Sequence, residues 1–234
     1  YDGRTFNPMK LIFDGFEKPV DITPGCASVL QIENQALYAR VVSSLMSGDG
    51  VYAAEPYSLW NGESEIASKD VFAMICDPFH LPWDDRALLG EVVKKIEREL
   101  LEDEDSRREI EALQQQLASK LIAFSMGFDA EYSIDVEFDL KRSLKNMGFA
   151  AGTSQDNSLL DNLLSFLSLS LDAGYKKVIT FVNLKTFLTE NELLRFYEHV
   201  FYTKMQVLML ENKIDNTIYE HEIKHCIDLR FLEN

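Results

Sequence analysis

The 234-residue sequence is 46% hydrophobic, carries a formal net charge of -16 and has a pI near 4.6. That apolar share is enough for a core, yet no run of about 18 apolar residues is available to span a membrane. The acidity argues against a generic nucleic-acid or anionic-membrane binder, although 23 Lys and Arg could still line one face. Cys26, Cys76 and Cys226 are widely spaced and form no C-x-x-C pair, so neither a disulfide framework nor a zinc knuckle is indicated. They read as reduced, small core hydrophobes of a cytoplasmic protein.

Residues 1–8, YDGRTFNP, have neither a basic start nor an apolar stretch. They are expected to be a tag or upstream extension rather than a secretion signal. MKLIFDGFEKPVDI predicts two short strands around Asp14-Gly15, with Pro19 marking an edge. CASVLQI predicts a buried strand feeding a helix over 34–46, which stops at Gly48-Asp49-Gly50. YSLWNG and DVFAMI are two further short apolar segments.

The pattern changes at Pro82. Asp84 or Asp85 can cap a helix with Leu88, Leu89, Val92, Val93, Ile96 and Leu100 on one face. EDEDS reads as a solvated turn, and Ser106 with Glu109 fits a capping box for a second helix. That helix aligns Ile110, Leu113, Leu117, Leu121 and Phe124 in one stripe, as in an αα arm. IDVEFDL alternates apolar and acidic with period two. As a strand it would place Asp135, Glu137 and Asp139 on one face, about 7 Å apart. LKRSLKNMGF reads as a short helix stopped by Gly148, GTSQDNS as a loop, and LLDNLLSFLSLSLDAGY as an apolar helix. KKVITFVNL and MQVLMLEN, with a helix near 189–203 between them, predict a parallel strand–helix–strand unit. IKHCIDLRF could add a last strand.

Three catalytic patterns fail on inspection. No G-x-x-x-x-G-K-[ST] or G-x-G-x-x-G occurs, and Asn183 stands where a metal-holding acid would end the strand of a P-loop ATPase. His221-Glu222-Ile223-Lys224-His225 matches H-E-x-x-H, but only nine residues follow, so the plainer reading is a surface helix turn. No G-x-S-x-G elbow supports a nucleophile, and His80 and His199 read as packed or solvated.

The acidic segment is different. Asp129, Glu131, Asp135, Glu137 and Asp139 fall within eleven positions, and Lys141, Arg142 and Lys145 follow. Carboxylates so crowded suit a hard cation such as Ca2+, which takes six to eight oxygens. An exposed, solvated face is the alternative, and composition leaves both open.

IDVEFD with a helix ending in MGF, then GYKKVITFVN and QVLMLEN, resembles one family. It is the type II-A CRISPR-associated spacer-acquisition protein, Csn-two. KLIFDGFEKPVDI, ASVLQIEN, SRREIEALQQQLASKL and TENELLRFYEHV extend the likeness along the chain from Met9. The resemblance implies an α/β fold: a degenerate P-loop-like head domain (9–81 and 171–234) with an inserted helical leg domain (82–170). It implies a homotetrameric ring that encircles linear double-stranded DNA and has no catalytic residues. The CRISPR integrase subunits and the type II effector nuclease are the implied partners. It makes Asp135, Glu137 and Asp139 Ca2+ ligands, with Asp129 and Glu131 as neighbours. Lys176 and Lys177 match a basic DNA-facing pair, and Lys141, Arg142 and Lys145 join them by position. A metal-dependent nuclease using the same acids, or a protein-only scaffold, would be the alternatives.

Overall fold

The computed structural model describes residues 8–134, 137–151 and 157–229. Its elements in chain order begin with β1 (Met9–Phe13), β2 (Val20–Ile22), β3 (Ala27–Ile32), α1 (Gln35–Ser47), β4 (Tyr57–Asn61), β5 (Ser64–Ile66) and β6 (Phe72–Ile75). Three helices follow, α2 (Arg86–Glu102), α3 (Glu104–Ser125) and α4 (Leu140–Asn146). The chain ends with α5 (Leu159–Asp172), β7 (Val178–Val182), α6 (Glu190–Thr203), β8 (Val207–Glu211) and β9 (Glu222–Ile227). Two compact units result: one holds all the strands with α1, α5 and α6, and the other is an insert, Trp83–Gly152. The expected extension at 1–8 lies outside the described residues except for Pro8.

The larger unit is a mixed α/β structure built on two sheets. Five parallel strands run in the order β6-β7-β8-β3-β9, and four antiparallel strands in the order β2-β1-β4-β5. β3, β7 and β8 are almost wholly buried, as befits parallel strands covered on both faces. Side chains alternate across them. Leu30, Ile32, Leu208 and Leu210 join α1 and the antiparallel strands through Leu37, Val41, Leu11, Phe13, Tyr57 and Leu59. On the other face Phe181 meets Phe196 of α6 at 5.7 Å between ring centroids. Each such buried side chain stabilises the fold by about 1.5–3 kcal/mol.

α1 starts as the sequence predicts: Asn34 accepts a hydrogen bond from the Leu37 N–H, and Gly48 closes it at φ 70°, a left-handed conformation that favours glycine. α6 carries a full capping box between Thr189 and Glu192. The leg expected over 82–170 is too long by one helix. α5 buries Leu160, Leu163, Phe166 and Leu167 within the larger unit, and its Ser168 lies 3.3 Å from His199 on α6. The strand β5 was not expected, having three residues and no apolar pair to announce it.

The insert is a helical pair followed by a short helix. Asp103 ends α2 and caps α3, accepting from the Ser106 N–H and hydroxyl at 3.1 and 2.6 Å. The helix therefore begins at Glu104, and the capping box expected at Ser106–Glu109 is displaced by an earlier cap. Those two bonds also hold the Asp103 carboxyl below the ordinary carboxylate range. The apolar stripe of α3 forms as predicted but faces outward. Leu113 is 58% exposed, Leu117 60% and Phe124 79%. The residues turned inward are Arg107, Glu111, Gln114, Ala118 and Ile122.

Candidate functional site

The acidic segment leaves α3 at Ser125 and reaches α4 at Leu140. Among the described residues no strand forms at IDVEFDL: 131–134 and 137–139 have no strand pairing, and 135–136 lie outside the described residues. Asp139 instead caps α4, accepting from the Arg142 N–H at 2.8 Å. The Glu137 carbonyl accepts from Gln114 Nε2 of α3 at 3.2 Å. Helix capping and this side-chain bond satisfy polar groups that a strand would have needed a neighbouring edge to satisfy.

Asp129, Glu131, Glu137 and Asp139 are all exposed. Among the described residues no three His, Cys, Asp or Glu side chains converge on a metal-binding geometry. Asp135 falls outside the described residues. The donors present are carboxylates alone, which is hard-cation chemistry.

Lys141 and Arg142 occupy the first turn of α4, and Lys145 its last. All three are exposed. A cation suits the C-terminal end of a helix, but Lys141 and Arg142 stand at the end where the backbone dipole is already positive. Their charge therefore gains nothing from the helix dipole. In the larger unit Lys176 is exposed, and Lys177 Nζ lies 3.9 Å from Asp70 just before β7.

The remaining motifs are resolved by their backbone. The connection from β3 to α1 is two residues long, Glu33-Asn34, with no glycine. Its first helical amides are met by the Asn34 side chain, where a phosphate-binding loop would aim them at a ligand. Asn183 adopts a left-handed conformation at φ 56° and accepts from the Asn212 N–H at 3.1 Å, tying the ends of β7 and β8 together. H-E-x-x-H is no helix turn: Glu222–Ile227 is strand, preceded by His221 at φ 64°. His221 stacks on Phe201 at 4.0 Å, whereas His225 accepts from the Asp21 N–H, so the two do not share a ligand. Cys76 is exposed and Cys26 and Cys226 are half-buried, which corrects their reading as core residues. His199 is half-buried, and burial lowers its pKa.

The sequence profile described as CRISPR-associated protein (Cas_Csn2) matches residues 57–228, well over half the chain. The chain belongs to this Csn2 family. A "CRISPR-associated protein Csn2" from Enterococcus faecalis is 21% identical over 216 residues, covering 91% of this chain and 94% of that protein. The structure titled "Crystal structure of Stu0660 of Streptococcus thermophilus" is similar with a TM-score of 0.49 and 14% identity, over 92% of this chain and 74% of that one. Csn2 membership places the chain in CRISPR adaptation. The matched span includes the acidic segment and both lysine groups. Among the described residues no helix is long and apolar enough to cross a membrane.

The Csn2 chain also holds a charged network that sequence reading missed. Lys185 Nζ contacts Glu222 at 2.5 Å and Asp215 at 2.9 Å. Lys224 pairs with Asp215 and lies 3.4 Å from Glu222. Gln31 Nε2 donates to Asp215 at 2.6 Å, and the Tyr197 hydroxyl to Glu222 at 2.9 Å. Despite its burial, which opposes charge, Lys185 is held above its ordinary pKa by Asp215 and Glu222. The bonds from Lys185, Lys224 and Gln31 overcome desolvation at Asp215 and bring it down to about 2.

Proposed function

We propose that this chain is a non-enzymatic DNA-end-binding protein of CRISPR adaptation. It assembles as a homotetrameric ring around linear double-stranded DNA and depends on Ca2+. Family membership over residues 57–228 carries this reading. The outward stripe of α3 supports self-association, since an apolar face of this length gains stability only when covered. Lys141 and Arg142, placed against the helix dipole, support a role outside the chain. Lys176 and Lys177 are assigned to the same DNA backbone.

At net charge -16 the chain repels DNA unless acids are neutralised and cations gathered on one surface. Ca2+ held by Asp135, Glu137 and Asp139, with Asp129 and Glu131 near by, would supply that neutralisation. Phosphate contacts then give salt-sensitive binding without sequence preference. The head is proposed to descend from a P-loop-like fold that has lost its nucleotide site. The glycine-free connection after β3 and the self-capped start of α1 fit the absence of a nucleotide site. The integrase subunits and effector nuclease are the proposed partners in the cytoplasm.

A gel shift of linear against closed-circular plasmid, with Ca2+ and after chelation, tests the reading. Retarded linear DNA, unshifted circles and loss on chelation are expected. Equal binding of circles removes the threaded ring. Cleavage of linear DNA in Mg2+ would replace the non-enzymatic reading with a nuclease.

A further inference from the structure

β8 ends at Glu211, and residues 212–221 then cross without regular structure to β9 on the far side of β3. This connection is a strap. Asp215 fastens it, receiving Lys185, Lys224 and Gln31, and Lys224 also donates to the carbonyl of Thr217. Next along the strap stands Ile218, 95% exposed.

The charges under the strap do not balance. Two ammonium groups, Lys185 and Lys224, meet three carboxyl groups, Asp215, Glu222 and Glu211. The Glu222 side chain is 1% exposed and Glu211 is 4% exposed. Lys185 spends its ammonium on Asp215 and Glu222, and offers Glu211 only its backbone N–H, at 3.0 Å. Glu211 faces Tyr197 from α6, Tyr38 from α1, whose hydroxyl donates to the Leu210 carbonyl, Lys185 beyond β7 and Asp215 from the strap, while Glu222, Lys224 and Cys226 stand on β9 across β3 and reach it only through Lys185 and Asp215. Burial pushes both tyrosines above their ordinary range, helped by the charge of Glu211 at Tyr38 and by that of Glu222, ahead of Glu211, at Tyr197. Of these groups only Lys185 and Lys224 are cations, and both are already paired.

We infer that Glu211 is a proton-controlled latch for this strap: protonated, it leaves the two lysines balanced by Asp215 and Glu222 and the strap is seated; ionised, it competes for Lys185 and releases Asp215. Asp215 is the member that yields because it is the most exposed of the three acids and lies on the irregular connection, while Glu211 and Glu222 are fixed in strands. Burial pushes the Glu211 carboxyl up to about 7, against the lowering influence of the Lys185 N–H and ammonium. The strap is therefore held below neutral pH and loosened above it.

Methyl and carboxyl NMR on the full chain tests the latch. Ile218 serves as the methyl reporter and 13C-labelled glutamate carboxyls report ionisation. In the unaltered protein the Ile218 signal is expected to move with a midpoint near 7, matching the Glu211 carboxyl. Glu211→Gln should hold Ile218 at its low-pH position throughout, and Asp215→Asn should leave it at the high-pH position throughout. A Glu211 carboxyl titrating in the ordinary range, or an Ile218 transition that persists in Glu211→Gln, overturns the latch. Should Glu211→Gln fail to fold, the unaltered protein decides: Ile218 and the Glu211 carboxyl must move with one midpoint, and a Glu211 titration that leaves Ile218 unmoved overturns the latch.

Discussion

The larger unit and the insert spend similar apolar residues in opposite ways. In the larger unit Phe181, Phe196, Tyr197, Leu30 and Leu59 are fully buried between two sheets and three helices. In the insert Leu113, Leu117, Leu121 and Phe124 form as regular a pattern but lie on the surface, and Leu88 and Ala118 are the buried hydrophobes of its helices. One unit satisfies itself; the other presents a face that a single chain leaves uncovered. Covering such a face is a matter of association, where burial is gained only at the concentration that supports it.

Two positions set the units apart most strongly. Phe196→Ala in α6 removes a fully buried ring that packs on Phe181, and should cost about 3–5 kcal/mol in urea unfolding. Leu117→Ala, at 60% exposure, should cost the dilute monomer under about 0.5 kcal/mol. A large cost at Leu117 in the monomer would mean that the stripe is covered within its own chain. The paired change Leu113→Glu with Leu117→Glu should then leave the fold intact and lower the assembled mass in sedimentation. Burying each leucine is worth about 1.5–3 kcal/mol, so association should weaken at least tenfold per residue. An unchanged mass would place the interface elsewhere.

What the sequence disclosed follows the same division. β7 and β8 were readable because a parallel strand covered on both faces is a continuous apolar run. The end of α1 was readable from Gly48, whereas the Asn34 cap and the Thr189–Glu192 box that start α1 and α6 show in the structure. Periodicity also located the α3 stripe, but period alone does not say which face a chain covers for itself. The strand expected at IDVEFDL lost to Asp139 as a helix cap: the same alternation serves either, and only a neighbouring edge makes it a strand. H-E-x-x-H hid a second alternation, with Glu222, Lys224 and Cys226 on one side and Ile223, His225 and Ile227 on the other. That period belongs to the last strand expected near IKHCIDLRF, which forms as β9 and begins inside the motif. The network under the strap was not readable. β3 sets Gln31 beside Glu211 on one edge and carries β9 with Glu222 on the other, and Lys185 and Asp215 join them from two separate connections.

DNA binding separates the two units at a smaller scale, because each carries its own basic group. If both face the DNA backbone, Lys176→Gln with Lys177→Gln and Lys141→Gln with Arg142→Gln should each weaken binding across all sequences. Each lost phosphate contact should reduce the slope of log affinity against log salt by about 0.9. A change confined to one pair would assign the DNA to one unit. Sequence-dependent losses would mean base contacts, which this reading does not contain.

The smallest effects separate capping from metal binding. Asn34→Ala in α1 and Asp139→Ala in α4 each remove a side-chain cap and should each cost about 1 kcal/mol. For Asn34 the loss ends there. Asp139→Asn keeps an acceptor for the Arg142 N–H but removes the carboxylate charge, so stability should recover almost fully. Its calorimetric Ca2+ affinity should not recover if Asp139 is a ligand, because a hard cation loses a charged oxygen donor. Equal Ca2+ affinity in Asp139→Asn and the unaltered chain would reduce Asp139 to a helix cap and leave Asp135 and Glu137 to account for the ion.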